Sequence, residues 1–249
     1  MDLLPILTSQ TLWVAVGAIG TICALAFAAN QILLMQKQAK FDSDWRRKEK
    51  ASELSKFYAE EIIPRMSYAN RIIMAIHLDK LMRGVSKVTI KEFSKRELDD
   101  LAGQNIINEI NSAIANLDVN VFKRARSRLR EDQRLSISSK EGSQDKNYYI
   151  NEYHQIVSDM LNKLEYFSMC LNSDIADKKL LYQSLHQTFF AIVTQFYYAL
   201  AKANNTIEDR YYTHITKLYF VWMKEYGRKC DKAKKELLND YSVVETFRD

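Results

Sequence analysis

Lys123, Arg126, Arg130 and Arg134 recur at steps of three and four residues, with Phe122 and Leu129 beside them. On a helix over 121–134 that spacing gathers four cations on one face. Cations so grouped attract phosphate, from a lipid headgroup or from a nucleic acid. Three readings stand for this basic helix, in this order: a solvated charged face, a surface for anionic lipid, and a nucleic-acid surface. Nucleic acid stays open but is not favoured, because no aromatic-rich RNA-binding motif accompanies the arginines. The rest of the chain offers little for catalysis. His77, His154, His186 and His214 stand in no HExxH or ExxH arrangement, so no helix-borne zinc or di-iron site is expected. Walker A, GxGxxG and GxSxG patterns are missing from the sequence. Cys23, Cys170 and Cys230 have no paired spacing, which argues against a disulfide scaffold or a CxxC metal site. Neither a metal nor a cofactor is expected.

The elements that would position these residues are helices. The 249 residues include 6 Gly and 2 Pro, where average usage would be about 7% and about 5%. Sandwiches, barrels and doubly wound sheets need more turn residues than that, so the expected fold class is all-α. Residues 12–35 carry no charge over 24 positions, and about 20 apolar helical residues suffice to cross a bilayer. The expectation is a single N-terminal transmembrane helix. Ala26-Phe27-Ala28 resembles a signal-peptidase site, but the apolar run continues past it to Met35 and no basic residue precedes it. Between Lys37 and Lys50 lie six basic residues against three acidic ones. The positive-inside rule therefore places residues 1–11 outside and everything after Lys37 in the cytoplasm. Trp13 and Trp45 fall near the two interfaces. Gly17, Gly20, Ala24 and Ala28 share one face of the span, a small-residue stripe that suits membrane-helix packing and a homo-oligomer.

Beyond the span, Ala51, Leu54, Phe57, Tyr58 and Ile62 mark an amphipathic helix, so 36–63 reads as a basic juxtamembrane stalk that Pro64 interrupts or kinks. Residues 64–135 form a helical region. A helix is expected from Arg65 to Met82, and a capping box at Ser94–Glu97 opens a short helix that Gly103 closes. Ile106, Ile107, Ile110, Ile114 and Leu117 give a further apolar stripe. Residues 136–146 are polar and read as a linker. A helical bundle follows over 147–240, with helices over about 148–171, over about 176–203 and from about Ile207 onward. Asn204-Asn205 separates the last two, and a charged helix starts at Gly227. Residues 241–249 form a tail.

Leu161-Asn-Lys-Leu-Glu165-Tyr-Phe, Asp177-Lys-Lys-Leu-Leu181 and Tyr219-Phe-Val-Trp222 together resemble a bacterial and phage family of membrane-anchored helical proteins, catalogued only as a domain of unknown function. The resemblance covers mainly the last hundred or so residues and leaves about Lys87 to Lys146 unmatched. It implies a bacterial inner (plasma) membrane and transfers no catalytic residue. Read physically, Leu161, Leu164 and Phe167 face the core, while Asn162 and Glu165 are placed to hydrogen-bond a neighbouring helix end. A second resemblance lies in Arg71-Ile-Ile-Met-Ala-Ile-His77, whose Arg and His stand as in the small helical ribonucleases of the higher-eukaryote-and-prokaryote nucleotide-binding class. That resemblance implies RNA cleavage across a dimer interface, with His77 as acid/base and Arg71 binding phosphate. Random placement of these residue types gives about 0.7 such pairs in a chain of this composition.

The leading functional expectation is a non-enzymatic interaction or effector module at the membrane, in its most concrete form a phage-defence-type effector acting as an oligomer. The alternatives are a membrane-tethered ribonuclease using Arg71 and His77, and a scaffold binding anionic lipid, nucleic acid or a protein through the basic helix. Expected partners are the lipid bilayer, further copies of the chain and a protein.

Overall fold

The structure is a computed structural model and describes residues 4–135, 146–204 and 211–245; nearly all of the expected linker 136–146, Asn205 of the expected break and the end of the tail lie outside these. The described residues hold helices and no strand, so the fold is all-α. Residues 1–48 and 49–249 make two compact units. Helix α1 (Leu4–Phe57) is unbroken over 54 residues. Its apolar part is long enough to be a membrane span or a signal sequence, and none of that part is buried.

The second unit opens with the predicted stripe, where Ala51, Leu54, Tyr58 and Ile62 are buried. Pro64 does not end the helix. One π-helical turn (Tyr58–Ile62) passes directly into α2 (Ile63–Ala75), with Ile63 N–H donating to the Tyr58 carbonyl five residues back. Proline has no N–H to give the Glu60 carbonyl in α-helical register, and its ring crowds that carbonyl. The wider turn is the usual way to absorb such an obstruction. Gln133 Nε2 donates to the Glu60 carbonyl at 3.0 Å and satisfies it from another element. Arg65, at the start of α2, holds Asp159 at 2.5 Å and Glu61 at 3.0 Å.

The helix expected over 65–82 stops early. His77 adopts the left-handed conformation (φ 51°, ψ 47°), and the chain restarts as α3 (Leu78–Leu81). Helix α4 (Lys95–Ala102) has the expected cap: Ser94 Oγ accepts from Glu97 N–H at 3.1 Å. Glu97 in turn accepts from the backbone N–H groups of Lys91, Glu92 and Phe93. Gly103 ends α4 at φ 100°, where only glycine is unstrained. Ile106, Ile110 and Ile114 of α5 (Ile106–Ala115) are buried as their spacing predicts.

The basic helix expected over 121–134 is two pieces, α6 (Val119–Arg126) and α7 (Glu131–Leu135). Arg128 and Leu129 N–H close back three residues onto Ala125 and Arg126, tightening the chain out of the helix. Gln133 Oε1 then receives Arg130 N–H at 3.2 Å.

The remaining helices are α8 (Lys146–Asn172), α9 (Lys178–Gln195), α10 (Tyr197–Ala203) and α11 (Thr213–Glu245). Asp174 ends α8 in the left-handed conformation, and Ile175 N–H returns to the Cys170 carbonyl at 3.1 Å. Asp177 caps α9. A break at Phe196 divides the helix expected over 176–203, and Gly227 lies inside α11 rather than starting a separate tail helix. Helix α8 is the central strut, packed on α11, α2 and the π turn; α6 packs on α2, α10 on α4, and α9 on α11. Trp222 sits at the middle of the core, edge-on to Phe167, Tyr182 and Phe189.

Candidate functional site

The second unit has a groove of about 1040 Å³ between the end of α2, α3 and the following loop on one side, and α9 on the other. Sequence placed it there through two local features. The left-handed His77 redirects the chain after α2, and its carbonyl receives Lys80 N–H at 2.9 Å. Gly84 then lets the chain pass α4, since a Cβ there would lie 1.9 Å from the Leu101 carbonyl oxygen. Thr89 Oγ1 accepts from Ser86 N–H and has one proton to give to the Ser86 carbonyl at 2.9 Å or the Gly84 carbonyl at 3.2 Å, which ties off the loop. Tyr219 OH donates to the Lys87 carbonyl at 2.6 Å, and Lys87 Nζ sits 4.3 Å from the centre of the Tyr226 ring.

His77 lines this groove; Arg71 does not. The two are separated by the break at the end of α2 and both are exposed, while Ile72, Ile73 and Ile76 between them are buried. The spacer is part core and part surface, since Met74 among these residues is 66% exposed. Among the described residues no three His, Cys, Asp or Glu side chains gather as metal ligands do.

The basic stretch is dispersed for the same reason that its helix is broken. Lys123 is exposed on α6. Arg126, also on α6, turns inward with 13% of its side chain exposed, and its Nε lies 3.3 Å from Oε1 of the fully buried Glu152. Arg130, in the turn, faces Asp132 at 3.2 Å and Glu60 at 3.9 Å. Arg134 belongs to α7. The four cations do not share one helix face. Burial raises the Glu152 pKa, and the Arg126 charge pulls it back. Tyr68 OH donates to Glu152 Oε2 at 3.5 Å. Next along α8, Tyr153 shares a 2.6 Å hydrogen bond with Tyr198 of α10, and burial pushes the Tyr198 phenol up to about 12. Glu152 and its partners were legible only as an anomaly: an acid three residues after Tyr149 and four before Ile156, on an otherwise apolar stripe.

The small-residue stripe lies in the first unit. Gly17, Gly20, Ala24 and Ala28 are all exposed, and nothing approaches within 4 Å of where a Cβ would stand on either glycine.

Glu165 has a structural task that its sequence block predicts. Its two carboxylate oxygens accept from His214 and Ile215 N–H at 2.9 and 2.8 Å, capping the start of α11 from α8. Asn172 Nδ2 adds a bond to the His214 carbonyl at 2.9 Å. Leu161, Leu164 and Phe167 are buried beneath; Asn162 is exposed. This block lies inside a match to a domain of unknown function (DUF4760) over residues 87–222. No curated protein and no solved structure matches the chain. The match takes in Lys87–Lys146, which the resemblance read from sequence leaves out, and it stops at Trp222. Because it covers more than half of the 249 residues, the chain belongs to the DUF4760 family.

Proposed function

We propose that the protein is a single-pass membrane protein of the bacterial inner membrane, with residues 12–35 in lipid, the N-terminus outside and the remainder a cytoplasmic interaction or effector module. One observation carries this reading: the apolar part of α1 has no protein cover at all. Trp13 is 72% exposed and Phe27 66%, an arrangement that water penalises by about 25 cal/mol per Å² and that hydrocarbon does not. Retention as an anchor is favoured over cleavage as a signal, since the helix and its apolar run both continue beyond Ala26-Phe27-Ala28. The excess of Lys and Arg directly after the span supports the orientation.

The module works as an oligomer in this reading, through the uncovered stripe of Gly17, Gly20, Ala24 and Ala28. Its concrete form is a phage-defence-type effector whose cytoplasmic bundle receives a signal and whose span perturbs the bilayer. Overexpression then depolarises the membrane, and Gly20→Leu abolishes the effect while leaving the protein membrane-bound. Unchanged membrane potential in cells holding abundant full-length protein contradicts the effector reading. The ribonuclease and basic-face scaffold readings are weaker, because random placement already supplies about one Arg–His pair of this spacing and Arg126 is committed to Glu152.

A further inference from the structure

We propose that the groove beside His77 binds an amphiphilic anion, a flexible alkyl chain ending in a carboxylate or a phosphate. At about 1040 Å³ the groove is at the upper end of the range for small-molecule sites. Its apolar lining comprises six aliphatic side chains, Ile73, Met74, Leu78, Met82, Val85 and Ala191, against the two rings of Phe190 and Tyr226. That balance suits a bendable alkyl chain better than a planar heterocycle, and two methionines add adaptable packing. The rim decides the sign of the charge. Arg83, Lys87 and His77 border the groove, and Asp79 is its one acid. Neither Arg83 nor Asp79 is in an ion pair among the described residues.

The site is also built in advance. The left-handed turn at His77 and the contact of Gly84 with the Leu101 carbonyl fix both ends of the segment that carries Leu78, Met82 and Arg83. An alkyl chain lying over Ile73, Met82 and Phe190 brings its charged end to Arg83 and Lys87 at the rim. The apolar part drives binding, and the cations select an anion over a cation of equal length.

Calorimetric titration of the full chain in lipid nanodiscs tests this, with titration into empty discs subtracted. The probes are octanoate, octyl phosphate and octylammonium, soluble amphiphiles of equal chain length. Saturable binding of octanoate or octyl phosphate is expected, with octylammonium weaker by about tenfold or more. The tighter of the two anions identifies a carboxylate or a phosphate head. Ala191 is exposed on the groove wall, so Ala191→Trp fills the groove without entering the core and removes the binding. Arg83→Glu weakens it by about tenfold. Both variants keep the wild-type melting temperature. Octylammonium binding as tightly as the anions, Ala191→Trp binding like wild type, or heat no greater than that of empty discs overturns the proposal.

Discussion

Residues 12–35 and helix α8 are both long helical stretches dense in apolar side chains, and they are covered in opposite ways. In α8 the apolar residues Tyr149, Tyr153, Ile156, Met160, Leu164, Phe167 and Leu171 return every three or four positions, and each is buried. Asp159 and Lys163 alternate with them and meet Arg65 and Glu61 on neighbouring helices. Residues 12–35 have no polar side to alternate with, and the apolar window there is wholly uncovered. A stripe asks for a protein neighbour, whereas a helix apolar all round asks for a solvent. The same residue types thus make a core element in one region and an uncovered helix in the other.

Four sets of variants separate these two modes, and the first is the largest. Leu25→Arg with Phe27→Arg places two charges in the apolar run, at about 3 kcal/mol each by insertion scales. Membrane insertion of the full chain should fall to background, with the denaturation midpoint of residues 49–249 unmoved. A fall in that midpoint breaks the contrast between the regions. Trp222→Ala does the reverse. It empties the centre of the core and costs about 3–5 kcal/mol in denaturant unfolding, without altering membrane retention.

Glu152→Ala removes the partner of Arg126 and leaves a mostly buried guanidinium unpaired, at a cost of about 3–5 kcal/mol. The milder Glu152→Gln reads the pH dependence. Burial raises the Glu152 pKa above its ordinary 4.5, so the folded chain binds a proton more readily than the unfolded one. The stability from this group is fully present below pH 4.5 and is lost as pH rises through the folded value. Thermal melting of Glu152→Gln should show a flatter pH profile over that window than wild type. Identical profiles contradict the assignment. Glu165→Ala has the smallest effect, about 1–2 kcal/mol, the usual cost of an N-cap. Hydrogen exchange should rise at His214 and Ile215 and remain unchanged in α1.

Features that depend on one local pattern were readable from sequence alone. A run without charge, the Ser94–Glu97 box and the Leu161–Glu165 block each announce a helix end or a helix face within a few residues. What escaped was set by partners far along the chain. The interruption at Pro64 was expected, but not its form: a π turn carries the chain on while Gln133, nearly seventy positions later, serves the obstructed carbonyl. His77 takes a left-handed turn with no glycine to signal it. The cations at 123–134 line up only on an ideal helix, and that helix stops at Arg126, whose charge goes inward to Glu152. The groove followed from these same departures, so the sequence named His77 but neither its neighbours nor its surroundings.

Cys23 gives the most direct access to the central claim, since it lies at the middle of residues 12–35 and is exposed, while Cys170 is buried. A nitroxide is attached there in the full chain with Cys230→Ser, and the protein is reconstituted into bilayers. Power-saturation electron paramagnetic resonance then compares collisions with oxygen, which concentrates in hydrocarbon, and with a water-soluble nickel chelate. A label relaxed by oxygen and shielded from nickel is the predicted result. A label relaxed mainly by nickel places residue 23 in water and contradicts a membrane-spanning α1.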